Sequence, residues 1–182
     1  MSKSIRPIPR GLRAYWVQPG CLMAGEHPTL GVSPPLDPHA DSALGVDMIR
    51  VRLAALLRAG VGTFIDLTEE SPGRGYADAL VELDPAARYE RRPIPDFEVP
   101  DTVQMRAILD RIDAGLQAGE IIYVHCMAGQ GRTGTVIGCW LARHGTTGAS
   151  ALEAIRRLRG DDAWSPETPE QRRMVREWPQ GR

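Results

Sequence analysis

Residues 121 to 134 read IIYVHCMAGQGRTG, an apolar run that passes into a glycine-containing loop. The uninterrupted run from Ile121 to Val124 is typical of a strand that is buried on both faces of a sheet. After the loop, apolar residues return at helical spacing and predict a helix from about Thr133 to Arg143. A strand that leads through such a loop into a helix is a building unit of α/β proteins.

Extended and helical patterns alternate along the rest of the chain. Extended patterns cover residues 21–25, 61–67 and 88–94, and helical spacing covers residues 47–59, 76–83, 101–118, 149–158 and 170–177. Strands that alternate with helices predict one α/β domain over residues 1–182, with a central, mostly parallel sheet and helices on both faces. Prolines at positions 28, 34, 35 and 38 predict a long surface loop from His27 to His39, which we hypothesise selects substrates.

The composition is typical of one soluble domain and argues against several function classes. The 182 residues, 42% of them hydrophobic and 25% charged, suffice for one buried core. A net charge of -1 gives no general attraction to polyanions, so we expect neither nucleic acid nor membrane partners. No apolar stretch reaches the roughly 18 residues of a membrane span, and the first residues contain no apolar signal core. Three cysteines, at 21, 126 and 139, have neither disulfide nor zinc-ligand spacing, so a reducing, cytoplasmic location is predicted.

The loop that follows Val124 has the features of an anion-binding site. Backbone N–H groups of such a loop and the positive end of the following helix dipole point to one position, which suits phosphate. Gly129 and Gly131 permit the positive φ angles and close backbone approach that a tight loop around a tetrahedral anion needs. The predicted phosphate-binding residues are Met127, Ala128, Gly129, Gln130, Gly131 and Arg132.

Cys126 and Arg132 stand at the two ends of this loop. Backbone donors and a helix N-terminus lower the pKa of a thiol and favour the thiolate, which is a strong nucleophile. An arginine on the first turn of the helix can fold over the same anion and donate two parallel hydrogen bonds to its oxygens. A Cys-x5-Arg spacing alone could arise by chance around a buried structural cysteine. The adjacent His125, the loop glycines and the strand and helix on either side favour a catalytic cysteine.

The segment from His125 to Gly134 resembles the signature His-Cys-x5-Arg-Ser/Thr of the cysteine-based protein tyrosine phosphatase superfamily. His125, Cys126, Arg132 and Thr133 match its fixed positions. The chain is most similar to the compact dual-specificity branch, in particular to the kinase-associated phosphatases grouped with cyclin-dependent kinase inhibitor 3. Residues 16–28 resemble the first strand of that branch, and residues 165–171 resemble its C-terminal segment. The resemblance implies a phosphatase that needs no metal and no cofactor.

The resemblance also implies two displacement steps. In the first, Cys126 attacks phosphorus while Asp96, the implied general acid, protonates the leaving oxygen. In the second, water hydrolyses the phosphocysteine with Asp96 as the base. Asp96 could instead be an ordinary turn aspartate, and Asp101 is a rival acid whose position at the head of a helix also fits an N-cap.

Four further residues have two interpretations each. Thr133 could donate a hydrogen bond to the sulfur, as the resemblance suggests, or cap the helix N-terminus. His125 is expected to orient the loop through a buried hydrogen bond instead of acting as a base. Gln171 could position the second-step water or be a solvated residue of the last helix. Cys139 is expected in the core, with the alternative of a resolving partner for oxidised Cys126.

Two rivals to a phosphatase stay open. The same fold could be a catalytically silent phosphate-binding module, although candidates for nucleophile, clamp and acid are all present. A thiol redox or sulfur-transfer protein could also use an activated cysteine, but the chain has no Cys-x-x-Cys pair.

Because the loop has no lysine, a polyphosphorylated lipid or inositol is disfavoured as the substrate, although Arg91 and Arg92 could add positive charge. The predicted partner is a phosphorylated protein, with phosphotyrosine ahead of phosphoserine and phosphothreonine, or a small phosphomonoester.

Overall fold

Five short strands form one sheet in a computed structural model that describes residues 11–31, 42–69, 75–160 and 164–181, without the side chains of 42–47. The strands are β1 (Ala14–Gln18), β2 (Leu22–Gly25), β3 (Thr63–Asp66), β4 (Arg88–Arg91) and β5 (Ile122–His125). They lie in the order β1-β2-β5-β3-β4. The β1–β2 pair is antiparallel and the other neighbours are parallel, which confirms the mostly parallel sheet.

Within the described ranges, six helices cover the two faces of this sheet. They are α1 (Ser42–Arg58), α2 (Ala77–Leu83), α3 (Thr102–Gln117), α4 (Gly131–Arg143), α5 (Gly148–Arg159) and α6 (Pro169–Glu177). Because side chains alternate along a strand, Phe64 and Tyr123 pack with α1 and α2 on one face, and Ile65 and Val124 pack with α3 to α6 on the other. Two apolar clusters therefore flank the sheet, as the alternating pattern predicts.

The central strand β5 brings three strand ends together. All four of its residues are buried, and it pairs in parallel with β2 on one side and β3 on the other. In that register Gly25 and Asp66 both stand beside His125. The carboxyl ends of parallel strands are where open α/β sheets place their sites. The loop that follows His125 therefore begins between the ends of two neighbouring strands.

The N-terminal region departs from the sequence-based expectation in two respects. The resemblance suggested a single strand over residues 16–28, but β1 and β2 form a hairpin with a turn between Gln18 and Leu22. The expected surface loop from His27 to His39 is wrong at its start, because His27 and Thr29 are only 2% and 9% exposed. Residues 32–39 of that stretch lie outside the described residues.

No helix in the described part of the chain combines the length and the apolar character that crossing a bilayer would require.

Candidate active site

The loop after β5 has a backbone that only glycine can supply at its middle. Gly129 has a φ of +69°, and a Cβ atom there would collide with the carbonyl group of Gly25 at the end of β2. A side chain at Gly129 would therefore meet both backbone strain and a steric clash. The predicted need for glycine is clear at this position, where the loop rests directly on the neighbouring strand.

Three groups outside the loop bind its backbone carbonyls. The main-chain N–H of His27 donates to Met127 O at 2.9 Å, and Ser165 Oγ donates to Gln130 O at 2.9 Å. Arg159 also donates from Nη1 to Gly129 O. These three bonds hold successive carbonyls of the loop from outside it, and an anion would be bound by the loop N–H groups. Met127 and Ala128 themselves are half-buried.

Helix α4 starts directly from this loop without a side-chain cap. Its N-cap residue is Gln130, whose side chain accepts no hydrogen bond from the first turn. Uncapped N–H groups at a helix N-terminus, together with the helix dipole, form an anion site. Gly131 is buried at the first helical position, beneath the side chain of Gln171. The N-terminus of α4 can therefore receive a phosphoryl group.

Cys126 and Thr133 are both buried, the first just before the loop and the second in the first turn of α4. The Cys126 side chain is 3% exposed, at the boundary between β5 and the loop. Thr133 Oγ1 is fully buried and has no hydrogen-bond partner among the residues that the structure describes. The capping alternative for Thr133 is wrong, because the N-cap position is Gln130, three residues earlier. A buried hydroxyl without a partner is costly, which indicates that it has a partner in the working site.

Arg132 and Asp96 form a direct ion pair. Arg132 Nη2 lies 2.9 Å from Asp96 Oδ1, and Arg132 Nη1 donates to Ile94 O at 3.1 Å. The guanidinium is buried, whereas the Asp96 side chain is 56% exposed. The main-chain N–H of Asp96 donates to Glu69 Oε2 at 3.2 Å, which ties the segment to the residues that follow β3. The structure thus brings together, at the loop, the arginine predicted to bind the phosphoryl oxygens and the aspartate predicted to be the general acid.

Asp101 has a different role. Its side chain accepts a hydrogen bond from the Gln104 N–H at 2.7 Å and is the N-cap of α3. This is the N-cap interpretation offered from the sequence, and it occupies the carboxylate of the rival acid. Asp96 therefore remains the candidate acid at the site.

His125 is held in one neutral form below the loop. Its Nδ1 lies 3.3 Å from Cys126 O, which can only accept, so Nδ1 carries the proton. Its Nε2 then accepts from Tyr76 OH at 2.6 Å. Burial lowers the pKa of His125 to about 4, although the negative charge of Asp66 acts in the opposite direction. Burial also raises the pKa of Tyr76 well above its usual value, so the phenol remains a donor.

Asp66 lies next to His125 as a fully buried carboxylate. Burial by itself would raise its pKa, but the nearby His27 ring, the His125 ring and hydrogen bonds from Tyr89 and Thr68 hold the pKa far below its usual range. Thr68 donates from its N–H and from Oγ1 to Asp66 Oδ1, both at 2.8 Å, and Tyr89 OH donates to Oδ2 at 2.7 Å. The carboxylate is therefore ionised and rigidly oriented.

Among the described residues, His27, Asp66 and His125 have the donor types of a metal site and lie close together. The hydrogen bonds argue against a metal there. The Thr29 N–H donates to His27 Nδ1 at 3.2 Å, so Nε2 carries the proton on the side that faces Asp66. The nitrogen of His125 that faces Asp66, Nδ1, is also the protonated one. Metal ligation needs unprotonated ring nitrogens, so the cluster fits hydrogen bonding better than coordination.

Gln171 is not the solvated residue that one alternative expected. It is fully buried, and its Oε1 accepts from the N–H groups of Glu167 and Thr168 at 3.1 Å each. Its Nε2 donates to Glu98 O at 3.1 Å. With hydrogen bonds at both ends of its amide, Gln171 links α6 to the segment after Asp96, and the second N–H of Nε2 is the donor that could orient a water.

Cys139 lies in the core of α4, as expected from the sequence. Its side chain is 0% exposed, and burial raises the pKa of its thiol well above the usual range. A thiol in that state reacts poorly. Redox exchange with Cys126 has no support from this environment.

Sequence reasoning missed the residues that support the loop from below and from the side. They are His27, Asp66, Tyr76, Arg159 and Ser165. One signal was available for Asp66, which ends the apolar run of β3 and is the position where a parallel strand presents a polar residue to a site. The others depend on long-range contacts that no local pattern reveals.

A family model described as PTP-SAK, Swiss Army Knife protein, DSP-PTPase phosphatase domain, matches residues 36–177. Among curated proteins, the chain is 31% identical over 141 residues to phosphatidylglycerophosphate phosphatase PTPMT2 of Arabidopsis thaliana, covering 74% of this chain and 58% of that protein. It is 33% identical over 93 residues to the phosphatidylinositol 3,4,5-trisphosphate 3-phosphatase and protein-tyrosine-phosphatase PTEN1 of the same plant, covering 50% of this chain and 23% of that protein. The chain thus spans less than two thirds of the length of either relative.

Solved structures show the same fold at low identity. Tk-PTP in its active form superposes with a TM-score of 0.69 at 24% identity, covering 91% of this chain and 95% of that chain. Kinase associated phosphatase superposes with a TM-score of 0.67 at 18% identity, covering 94% and 95%. PTPMT1 in complex with PI(5)P superposes with a TM-score of 0.65 at 19% identity, covering 91% and 93%. These likenesses confirm the predicted fold.

Proposed function

The chain belongs to the DSP-PTPase phosphatase domain family, in its compact dual-specificity branch, and from that membership we propose that it hydrolyses phosphomonoesters through a phosphocysteine on Cys126 without a metal. The observation that carries this proposal is the Arg132–Asp96 ion pair of 2.9 Å beside the uncapped start of α4. A phosphate clamp and a carboxyl group in contact at an anion site are the two partners that phosphoryl transfer to a cysteine requires.

In the first step the Cys126 thiolate attacks phosphorus and the bond from phosphorus to the leaving oxygen breaks. Loop N–H groups and the Arg132 guanidinium bind the three equatorial oxygens. To do so, Arg132 exchanges its contact with Asp96 for the phosphoryl group. Asp96, released from this contact, enters the step as the carboxylic acid. Its proton passes to the leaving oxygen, so that the alcohol or phenol departs neutral.

In the second step a water oxygen attacks phosphorus and the bond from sulfur to phosphorus breaks. Asp96, now ionised, accepts a proton from that water, and inorganic phosphate leaves. The departing sulfur also needs a hydrogen-bond donor, and the buried hydroxyl of Thr133 can supply one. This assigns a partner to a hydroxyl that otherwise has none among the described residues.

We propose phosphorylated proteins as the substrate class, with phosphotyrosine ahead of phosphoserine and phosphothreonine. The loop between Cys126 and Arg132 contains no cation. Of the two nearby arginines, Arg92 lies 3.5 Å from Glu90, and Arg91 donates to Tyr89 OH at 3.2 Å. A substrate with several phosphates would meet few uncommitted cations there, since added phosphates normally require added positive charge.

A phospholipid monoester is the second candidate, and the likeness to PTPMT2 over 74% of the chain favours it. A single phosphate on a lipid headgroup would need only the one anion site. The two candidate substrates approach the site from different phases, because a lipid must reach it from a membrane surface whereas a phosphopeptide reaches it from solution.

The first experiment is hydrolysis of a generic aryl phosphate in the presence of EDTA. Wild type should turn over, Cys126→Ser should be inactive, and Asp96→Ala should lose about 10²-fold to 10⁴-fold in kcat. Asp101→Asn is the matched control, because asparagine still caps α3 and the variant should keep wild-type activity. A wild-type protein that hydrolyses no aryl phosphate but still binds vanadate would be a phosphate-binding module. Hydrolysis that survives Cys126→Ser would contradict the mechanism.

The substrate class is tested with matched concentrations of phosphotyrosine, phosphoserine and phosphothreonine peptides against phosphatidylglycerophosphate in vesicles. The proposal expects the highest kcat/KM on the phosphotyrosine peptide. A higher kcat/KM on the vesicles than on any peptide would select the phospholipid candidate.

A further inference from the structure

A buried carboxylate lies beneath the candidate nucleophile and has no role in the two displacement steps. We propose that Asp66 is a positioning residue of the phosphatase reaction, which fixes the residues on both sides of Cys126 through His125 and His27. The inference rests on the proposed function.

Asp66 is itself immobile. It ends β3 in register with His125 of β5 and is 0% exposed. Thr68 binds Oδ1 through its N–H and its hydroxyl, and Tyr89 binds Oδ2. Three hydrogen bonds from two neighbours leave the carboxylate one orientation, so that it can act as a fixed reference for the rings around it.

On one side Asp66 faces the residue before Cys126. His125 Nδ1 lies 3.9 Å from Asp66 Oδ1 and 3.3 Å from Cys126 O, so its single N–H points between a carboxylate and the carbonyl of the nucleophile. The attraction of the carboxylate favours the ring form with the proton on Nδ1. That form is the one that holds the Cys126 carbonyl and accepts from Tyr76 OH.

On the other side Asp66 faces the residue that holds Met127. His27 Nε2 lies 3.7 Å from Asp66 Oδ2, while its Nδ1 accepts from the Thr29 N–H. The same residue donates its main-chain N–H to Met127 O at 2.9 Å. The two rings also meet edge to face, with centroids 4.9 Å apart. One carboxylate therefore orients the two histidines that bind successive loop carbonyls, those of Cys126 and Met127.

The benefit of this arrangement is geometric. A buried carboxylate repels the negative charge of a phosphoryl group, so Asp66 acts through position and not through charge. It can hold the loop at the position from which sulfur attacks in line with the leaving oxygen, where a displacement of about 1 Å can cost on the order of 10²-fold in rate.

The test compares Asp66→Asn with Asp113→Asn. Asp113 is a matched control, because it is also a buried carboxylate bound by a histidine, His144 Nε2 at 2.9 Å, and by Trp140 Nε1 at 2.9 Å. Trp140 and His144 lie towards the far end of α4, roughly 14 Å and roughly 20 Å along the helix axis from its first residue, Gly131. Any loss that comes only from removing a buried charge should appear in both variants.

We expect Asp66→Asn to lower kcat on aryl phosphate by about 10²-fold with little change in KM, and Asp113→Asn to keep wild-type kcat. Nitrogen NMR of the His125 ring should show a single form protonated at Nδ1 in wild type and in Asp113→Asn. In Asp66→Asn it should show a mixture of the two neutral forms. Wild-type kcat together with an unchanged His125 ring in Asp66→Asn would overturn the proposal.

A second variant covers the case in which Asp66→Asn does not fold. His27→Gln keeps the main-chain N–H that binds Met127 but removes the ring, and it should lower kcat in the same direction. Wild-type kcat in folded His27→Gln, or stoichiometric Zn²⁺ uptake that depends on both histidines, would contradict a positioning role. Where Asp66→Asn does fold, its loss and that of His27→Gln should not add in the double variant, because both act through one carboxylate, and additive losses would also contradict that role.

Failure of the proposed function would have a different signature. If wild type hydrolyses no substrate, vanadate affinity replaces kcat as the readout, and the His125 ring is measured as before. Weaker vanadate binding and a mixture of the two neutral His125 forms, both seen in Asp66→Asn but not in Asp113→Asn, would support the positioning role. The same vanadate affinity and the same His125 ring form in all variants would overturn it.

Discussion

Acidification should unfold this protein partly through one buried histidine. His125 is fully buried, and that burial lowers its pKa from 6.5 to about 4. The unfolded chain therefore binds a proton at His125 near pH 6.5, whereas the folded protein resists binding it until about pH 4. Stability from this residue is present above pH 6.5 and is lost as pH falls towards 4.

The size of the effect follows from the size of the shift. Each pKa unit corresponds to about 1.4 kcal/mol, so a fall from 6.5 to about 4 is worth about 3 kcal/mol in full. At pH 5, most of the way through this window, about 2 kcal/mol should already be lost. Since domains of this kind are stable by only about 5–15 kcal/mol, the loss is large enough to measure.

Urea unfolding at pH 7, 6 and 5 measures this loss of stability, with His125→Asn as the comparison. Asparagine keeps a side-chain N–H in the place of Nδ1 but does not titrate, and His27, His39 and His144 are common to both proteins. The free energy of unfolding of wild type should fall by about 2 kcal/mol more than that of the variant between pH 7 and pH 5. Parallel pH dependences, or a His125 titration midpoint near 6.5 by NMR, would refute the reasoning.

Three further outcomes are expected. Gly129→Ala should abolish vanadate binding and destabilise the fold by more than the left-handed strain of about 1–2 kcal/mol, because its Cβ would strike Gly25. Gly119→Ala, with a φ of +81° and open space around it, should show the strain alone in the same urea and calorimetry series, and equal losses in the two would count against the clash. Arg132→Lys should lower kcat/KM on aryl phosphate by about 10²-fold to 10³-fold, since lysine cannot donate in a fork; near-wild-type kinetics would show that charge alone suffices. Cys139 should resist iodoacetamide until the protein is unfolded, because burial raises the pKa of its thiol; labelling in the native state, followed by mass spectrometry, would contradict its core position.

Local patterns predict this fold well where one segment carries the whole signal. The Ile121–Val124 run, the glycine loop and the apolar spacing of α4 are adjacent in sequence, and the structure confirms the strand, loop and helix within a few residues. The N-cap at Asp101 is equally local, because the carboxylate binds an N–H three residues away.

The rest depends on which strands become neighbours. Asp66 and His125 are 59 positions apart and meet only because β3 and β5 pair in one register. The Pro-rich stretch after His27 looks solvated by composition, yet its first residues are buried against the loop. Gln171 stands on a polar helix and is still fully buried, because the rest of the fold closes over it. Such positions are set by tertiary contacts that override local preference.

Helix α4 joins the candidate site to the centre of the core. All of its residues except Leu141 are buried, from Gly131 beside the loop to Arg143 beside Asp113. Its first turn has no route to local opening that leaves the core intact, so backbone amides there should exchange with solvent only when the whole molecule opens. Heat should then abolish ligand binding and the fold at one temperature. A destabilising substitution far from Cys126 should reduce the number of competent molecules and leave the turnover of each one unchanged.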